Sequence, residues 1–287
     1  MYAYASIDDL KGTMALNIEG TISDTRLRQL IEAVSTEVRN YVKRDIHPIK
    51  ETRYFDGSGG QSLNVRDMVT LGATALTEST LLDGTWNKVW GGSGTSWIGE
   101  PYNANPTSAD HMAIGPYRFV TVNTHSNNNQ TTDSFETGQR RFKLDGVWGW
   151  SNVSVSFGGA ASASFDATAT SLTNTGSLPQ VGWTLAHGTE QMYVENVAGT
   201  VVTLNRGVNG FTAGVIASGS AWEHVQYPAP IREAVVMQAG RLLKRAQGGF
   251  VQEAGIPDSG AILPLMPEGL DRDVKQMIGP YRNRGGM

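Results

Sequence analysis

The stretch from residue 22 to 48 has the most regular pattern of apolar and polar positions in the chain. Its apolar residues recur at steps of three and four, which places them along one stripe of a helix. The stripe consists of Leu27, Leu30, Ile31, Val34, Val38, Tyr41 and Val42. Ser23 is a suitable N-cap, and Pro48 follows the basic residues at the other end. The pattern predicts a helix of about six turns.

A second long helix is predicted near the other end of the chain. Pro230 suits the first turn of a helix, and the glycines at 248 and 249 suit its end. Between them, apolar side chains recur at helical spacing at Ile231, Ala234, Val235, Leu242 and Leu243. Since neither long helix can bury its stripe alone, we expect the two helices to pack against each other.

Shorter elements are predicted beside both long helices. Ser6 and Asp9 have the spacing of a capping box and predict a short helix that extends to about Leu16. Residues 52–65, TRYFDGSGGQSLNV, have β-branched and aromatic residues on both sides of an Asp-Gly-rich turn, which is typical of a β-hairpin. Residues 270–278 predict one more short helix near the end of the chain.

The middle of the chain has a different pattern. Short runs of β-branched and aromatic residues, such as YRFVTVNT, VSVSF and TVVTLN, are separated by Gly, Asn and Ser turns. This spacing is typical of all-β domains. It predicts two successive β units, at about 85–157 and 163–227.

Together these patterns predict an α+β fold. The two flanks, residues 1–75 and 228–287, are expected to form a small helical bundle with a β-hairpin. Residues 76–227 are expected to form a large all-β insertion between the flanks. The distribution of charge supports this division, because charged residues are concentrated in the flanks.

Composition excludes several classes of protein. The 23 basic and 27 acidic residues give a formal net charge of −4, so the chain as a whole has no electrostatic attraction for nucleic acid or for an anionic membrane. The chain has no cysteine, which excludes disulfides and a cysteine nucleophile. No run approaches the ~18 apolar residues of a membrane span. Because the first residues lack the pattern of a signal peptide, we expect folding in the cytosol.

The sequence has no motif of a known catalytic or metal site. The histidines are dispersed along the chain, at His47, His111, His125, His187 and His224. None of their spacings brings two ligands to one metal ion from a single helix or strand. The chain also lacks a Gly-x-Ser-x-Gly element and a phosphate-binding glycine loop. The sequence therefore predicts neither an enzyme nor a bound cofactor or metal.

Tryptophan is concentrated in the predicted insertion and at its end. The seven tryptophans are Trp86, Trp90, Trp97, Trp148, Trp150, Trp183 and Trp222. Such residues either fill the cores of sheets that have few aliphatic side chains, or form a platform on which sugar rings stack. The sequence favours the core interpretation and leaves the second one open.

Four segments of the flanks carry a resemblance to a known family. In chain order they are LRQLIEAVSTEVRNYVKR at 27–44, RYFDGSGG at 53–60, PAPIREAVVMQAGRLLKRAQGG at 228–249 and LDRDVKQMIGPYR at 270–282. These segments resemble head-tail connector (adaptor) proteins of long-tailed bacteriophages. In the predicted insertion, DGVWGW and GTEQMYVENVAGTVVTLNRGVNGFTAG resemble β segments of larger members of that group. The resemblance leaves most of residues 76–140 uncovered, and its collinear order is more informative than any single motif.

The resemblance implies a structural virion protein. Proteins of that family assemble as a ring, typically dodecameric, under the portal vertex. The ring joins the head to the stopper or tail and surrounds the path of double-stranded DNA. The chain is therefore expected at the virion neck, after assembly in the host cytoplasm, with other copies of itself, the portal protein and a stopper or tail-completion protein as partners.

The resemblance also assigns two sets of residues in this sequence. The C-terminal segment of the family commonly reaches the portal, and the corresponding residues here are Leu270, Val274, Ile278, Tyr281, Arg282 and Arg284. Subunit packing is expected from Leu27, Leu30, Ile31, Val34, Val38, Tyr41, Ile231, Val235 and Leu242. For the three apolar residues of the C-terminal helix, an equal alternative is that they only cap the chain's own bundle.

The predicted insertion departs from the compact pattern of the family, and its role stays open. In a ring it would project either outward, which would thicken the neck and is favoured, or downward toward the tail. The alternative is an oligomeric, β-rich virion protein for receptor recognition or decoration, which binds a glycan through exposed Trp and Tyr side chains. Sugar binding by the isolated insertion in a glycan array would favour this alternative.

Overall fold

The computed structural model describes most of the chain. The described residues are 2–12, 22–70, 75–91, 96–108, 115–124, 134–247, 253–255, 262–264 and 269–283. The chain divides into two compact units. The open-sheet unit contains Asp45–Val155 and Asn209–Phe211, and the closed-sheet unit contains Met1–Arg44, Ser156–Val208 and Thr212–Met287.

The open-sheet unit is built on antiparallel strands. Those in the described residues are β1 (Ile49–Gly57), β2 (Ser62–Met68), β3 (Ala75–Glu78), β4 (Lys88–Val89), β5 (Trp97–Glu100), β6 (Tyr117–Val122) and β7 (Gly138–Trp148). The strand order is β4-β3-β7-β2-β6-β5, and β1 also pairs with β7. Alternating side chains of these strands point to one apolar core, in which Trp97, Phe142 and Trp148 are fully buried.

The predicted hairpin at residues 52–65 is wrong in its pairing. β1 lies antiparallel to β7, with Phe55 opposite Phe142, whereas β2 pairs mainly with β6, with Leu63 opposite Val120. The two strands beside the Asp-Gly turn therefore have different partners. The physical reason is that each strand buries its apolar side chains against the aromatic core, and the strands that complete that core lie far away in the sequence.

The closed-sheet unit contains a second antiparallel sheet. Its strands are β8 (Ser154–Ala161), β9 (Ser171–Gly176), β10 (Thr184–His187), β11 (Glu190–Ala198), β12 (Val201–Arg206) and β13 (Ala221–Val225). They pair in the order β10-β11-β12-β9-β8-β13, and β13 pairs again with β10, so that the sheet closes on itself. Leu185, Met192 and Trp222 are fully buried in its interior. A short pair, β14 (Glu253–Gly255) with β15 (Ile262–Pro264), follows later in the chain.

The helices belong to the closed-sheet unit. They are α1 (Ile7–Lys11), α2 (Asp24–Val42), α3 (Ala229–Gln247) and α4 (Arg272–Ile278). The predicted caps are present, because the Ser6 hydroxyl accepts a hydrogen bond from the Asp9 amide at 3.0 Å and the Ser23 hydroxyl accepts one from the Arg26 amide at 3.4 Å. α2 packs against α3, and α4 packs against both. The prediction that the two long helices meet is therefore confirmed.

The predicted fold class is wrong. The described part of the chain is mostly β structure, with two antiparallel sheets and four helices, rather than a small helical bundle that carries a hairpin and an insertion. Residues 45–75, predicted with the helices, supply β1 to β3 of the open sheet, and the β unit predicted at 163–227 shares its compact unit with the helices. The two units therefore divide the chain at other residues than the predicted flanks and insertion do. Periodicity identified most elements but not the core to which each belongs.

Candidate functional site

The residues predicted to pack between subunits lie mainly in the core of the chain itself. Buried within the closed-sheet unit are Leu27, Ile31, Val34, Val38, Ile231 and Val235. Leu30, Tyr41 and Leu242 are half-buried. Packing inside one chain therefore covers most of the stripe of each long helix. The contribution of these nine residues to a contact with a neighbouring subunit stays a prediction.

A cluster of arginine and aspartate side chains fastens α4 to α3. Arg241 donates to Asp271 at 2.9 Å and to both carboxylate oxygens of Asp273, and Arg245 donates to Asp271 at 3.0 Å. The hydrogen bonds from Arg241 hold the pKa of Asp273 below its ordinary value. Gln238, which is buried, accepts a hydrogen bond from the Asp271 amide at 3.2 Å. We call these five residues the α3–α4 clamp.

Sequence reasoning missed the α3–α4 clamp, although a signal for it exists. Arg241 and Arg245 are one helical turn apart on α3, so they lie on the same face of that helix. Asp271 and Asp273 stand at the start of α4, where carboxylates are favoured by the helix dipole. Local helix properties account for the two arginines and for the two aspartates separately. Only the packing of α3 on α4 shows that the arginines bind the aspartates.

The apolar residues that were assigned to portal binding are buried. Leu270, Val274 and Ile278 are covered within the closed-sheet unit. Their burial favours the alternative that α4 caps its own helical group. A portal that binds at this helix must therefore contact its outer face or the residues that follow it.

The residues that follow α4 are more accessible. Tyr281 is half-buried and Arg282 is exposed. The guanidinium of Arg282 lies 5.2 Å from the centre of the Tyr41 ring, and the amide of Asn283 donates to the carbonyl of Val42 at 2.7 Å. The last described residues are therefore held against the C-terminal end of α2. Arg284 lies outside the described residues.

Most of the tryptophans are core residues. The core interpretation is confirmed for Trp90, Trp97, Trp148, Trp150 and Trp222, all of which are buried. Trp183 is half-buried and stacks on His224 inside the closed-sheet unit, with the ring centres 3.9 Å apart. Trp86 is also half-buried, and its neighbours lie at the surface.

Trp86 belongs to a concave, partly aromatic surface of the open-sheet unit. Its ring centre lies 5.1 Å from that of Tyr54, and the guanidinium of Arg140 lies 4.7 Å from the Tyr54 ring centre. The concave region has a volume of about 520 Å³. It is lined by Ser79, Leu82, Gly84, Trp86, Gln139 and Arg140. We call Tyr54 and these six residues the aromatic surface.

A buried carboxylate supports the aromatic surface. Glu78, at the end of β3, is 1% exposed and accepts hydrogen bonds from Lys88 at 3.0 Å, Arg141 at 2.8 Å and the Trp90 indole at 3.0 Å. Burial by itself would raise the pKa of Glu78, but the hydrogen bonds from Lys88 and Arg141 outweigh it and hold the pKa below its ordinary value. Because Glu78 and Lys88 are the two ends of the loop that carries Trp86, these bonds fix the base of that loop.

Histidine and carboxylate side chains are further candidates for a functional site in the described residues. These residues contain no group of three or more His, Asp or Glu side chains that could hold a metal ion. His224 accepts a hydrogen bond from Gln226 at 2.8 Å, and burial lowers the pKa of His224 to about 4. His111 and His125 lie outside the described residues.

In the part of the chain that the structure describes, the helices are too short or too polar to cross a membrane.

No protein-family model matches the chain, and no curated protein matches it.

Proposed function

We propose that the protein is a head-tail adaptor, a structural virion protein that forms a ring under the portal vertex of a long-tailed bacteriophage. The ring joins the DNA-filled head to the stopper or tail, and its subunits surround the passage of double-stranded DNA. The proposed partners are other copies of the chain, in a ring that is dodecameric as in the family, the portal protein, and the stopper or tail-completion protein. The protein acts at the virion neck, after assembly in the host cytoplasm.

The packing of three helices carries this proposal. Residues 27–44, 228–249 and 270–282 resemble the adaptor family in the same order along the chain. They contain or overlap α2, α3 and α4, which pack against one another although they are far apart in sequence. Loose motifs that also assemble into one helical group support a shared architecture better than their order alone does.

The region around α4 supports a docking role for the end of the chain. The α3–α4 clamp fixes α4 on a helix of the core, and the Asn283 amide is bonded to the end of α2. The last described residues, up to 283, are therefore held in a fixed position. A segment that starts from a rigid base loses less conformational freedom when it binds a partner.

The charge of the chain is compatible with a DNA passage. A conduit should not hold duplex DNA tightly, because each phosphate contact adds affinity and slows the movement of DNA. A formal net charge of −4 on each subunit keeps that attraction low.

Electron microscopy of the purified protein mixed with the portal of its virion tests the proposal. The expected result is a closed ring of subunits on the outer face of the portal. A protein that stays monomeric and never joins the portal contradicts the proposal.

A matched pair of charge-reversal variants tests the assignment of Arg282 separately. Arg282→Glu is expected to weaken portal binding by about tenfold, because a rim charge of the docking segment is reversed. Arg272→Glu reverses an exposed charge on α4 outside the predicted contact set and serves as the control. Equal binding of the two variants in biolayer interferometry removes Arg282 from the contact.

A further inference from the structure

We infer that the aromatic surface of the open-sheet unit is a saccharide-binding site. In this inference one face of a hexopyranose ring stacks on Trp86 and Tyr54, and its hydroxyl groups bond to the polar side chains around them. The site is additional to ring assembly and does not depend on it. Three features of the surface support it: accessible aromatic rings, polar side chains at the edge of the cavity and a preformed shape.

The two rings provide an apolar wall for a sugar. Tyr54 is 41% exposed, and its ring is inclined by 47° to that of Trp86. The two rings therefore form an angled wall rather than a flat one. A pyranose has a face of C–H groups that gains contact with such aromatic rings while its hydroxyls stay available for hydrogen bonds.

Polar side chains at the edge of the cavity can bond to the hydroxyl groups of a sugar. Ser79 Oγ and the indole Nε1 of Trp86 have no hydrogen-bond partner among the described residues, but both atoms are shielded from solvent and lie out of reach of a ligand. Gln139 and Arg140 provide donors at the exposed edge of the cavity.

The surface is formed in advance of binding. Leu82 and Arg140 have φ angles of 56° and 49°, a left-handed conformation that is uncommon outside glycine and that concentrates at functional sites. The loop also packs closely on β7, because a Cβ at Gly138 would lie 2.8 Å from the side chain of Leu82. Glu78 fixes the base of the same loop. A rigid site of this kind loses little conformational entropy when it binds a ligand.

A glycan array with the full-length protein tests the inference. We expect binding to a subset of hexose-containing oligosaccharides, among them bacterial O-antigen and capsule fragments. In calorimetric titration with the best-bound oligosaccharide, Tyr54→Ala and Trp86→Ala are each expected to weaken binding by at least about tenfold, since each removes a stacking partner. Gln139→Ala is expected to weaken it by several-fold, since it removes a hydrogen-bonding side chain at the exposed edge of the cavity.

Phe119→Ala is the matched control. Phe119 is 39% exposed, close to the value for Tyr54, and lies on β6 of the same sheet but outside the aromatic surface. Its replacement should leave saccharide binding unchanged. Because Trp86 is half-buried, its variant is included only if its melting curve matches that of the parent. Tyr54→Ala, at an exposed position, tests the site in any case.

Two outcomes would overturn the inference. One is the absence of any saccharide bound by the parent protein on the array. Another is equal saccharide binding by the parent and Tyr54→Ala. In either case, loss of a protein contact in Tyr54→Ala would assign the surface, together with the exposed Leu81 beside it, to a protein partner. Ring formation on the portal is measured separately and is expected to be the same in Tyr54→Ala and the parent, so the two proposals fail independently.

Discussion

Among the described residues, each of the two units buries one glutamate, and the two glutamates are used differently. In the closed-sheet unit Glu190 is 4% exposed and forms a two-pronged ion pair with Arg206, with N–O distances of 2.5 and 2.7 Å. It also accepts hydrogen bonds from the amides of Gly207 and Gly214. In the open-sheet unit Glu78 is bound only by side chains, those of Lys88, Arg141 and Trp90 among the described residues.

The difference lies in what each ion pair holds in place. Arg206 donates not only to Glu190 but also to the carbonyls of Asp166, Ala169 and Gly214. The pair therefore fastens backbone segments to the closed sheet, and its bonding capacity is used inside the protein. Glu78 instead fixes the base of a loop whose outer side is the aromatic surface. In the closed-sheet unit the buried ion pair of Glu190 and Arg206 holds backbone segments together. In the open-sheet unit the buried Glu78 supports an accessible surface.

The largest effect is expected from Arg206→Met. It leaves Glu190 buried without its cation and leaves three carbonyls without their donor, which costs about 3–5 kcal/mol of unfolding free energy. Urea unfolding followed by circular dichroism measures the loss. The double variant Glu190→Leu/Arg206→Met should recover part of it, because removing both partners leaves no unpaired charge. A loss below about 1 kcal/mol in the single variant contradicts the central role given to this pair.

Acid is expected to weaken the closed-sheet unit through His224. Burial lowers the pKa of His224 from 6.5 to about 4, and the nearby Arg232 adds to the effect while Asp9 opposes it. Between those two pH values the unfolded chain binds more protons than the folded one, so stability is fully present above pH 6.5 and is lost as the pH falls to about 4. The loss is on the order of 2–3 kcal/mol. Glu78 and Glu190 have lowered pKa values, so their contributions persist to a more acidic range.

Unfolding of the parent and of His224→Gln at several pH values isolates this effect. The variant has no group that titrates at this position, so its stability should fall less steeply between pH 6.5 and 4. Identical slopes for the two proteins in that range would show that another group is responsible.

Glu78→Gln is expected to cost less than Arg206→Met, about 1–2 kcal/mol. Arg141 keeps its bonds to Glu136 and to the Thr137 carbonyl, and the partly exposed Lys88 can be solvated by water. The loop should become more mobile, which acrylamide quenching of Trp86 fluorescence detects. Glu136→Gln, at a half-exposed side chain, is the control and should change little. A larger loss for Glu78→Gln than for Arg206→Met would reverse the comparison between the two units.

The sequence allowed the local elements to be predicted better than their partners. α2, α3 and α4 and the Ser6 and Ser23 caps follow from spacing and capping residues, which act within a few positions of the chain. The partner of β1 is β7, more than 80 residues later, and no local pattern identifies it. The alternation of apolar and polar residues indicates which side of a strand is buried, but it does not indicate which strand lies beside it. The predicted fold class was wrong because the strand partners could not be identified from the sequence pattern.

The candidate sites show the same limit. Trp86 and Tyr54 were both visible as aromatic residues, but their approach to 5.1 Å depends on the pairing of β1 and β3 with β7. Likewise, burial of Leu270 and Val274 depends on how α4 lies on the other helices, which the C-terminal motif alone does not specify. Residue types indicated the kind of chemistry, and tertiary packing decided which residues are accessible to perform it.

The smallest effect is expected from Lys11→Gln. The ammonium of Lys11 lies 2.6 Å from a carboxylate oxygen of Asp24, closer than the 2.8 Å between Arg141 and Glu78, but both side chains are largely exposed. Water and salt screen such a pair, so the variant should change the unfolding free energy by less than about 0.5 kcal/mol, and the change should vanish at about 0.5 M NaCl. If Lys11→Gln costs as much as Glu78→Gln, then distance rather than burial sets the strength of these pairs. Buried and exposed ion pairs would then contribute equally to the unfolding free energy.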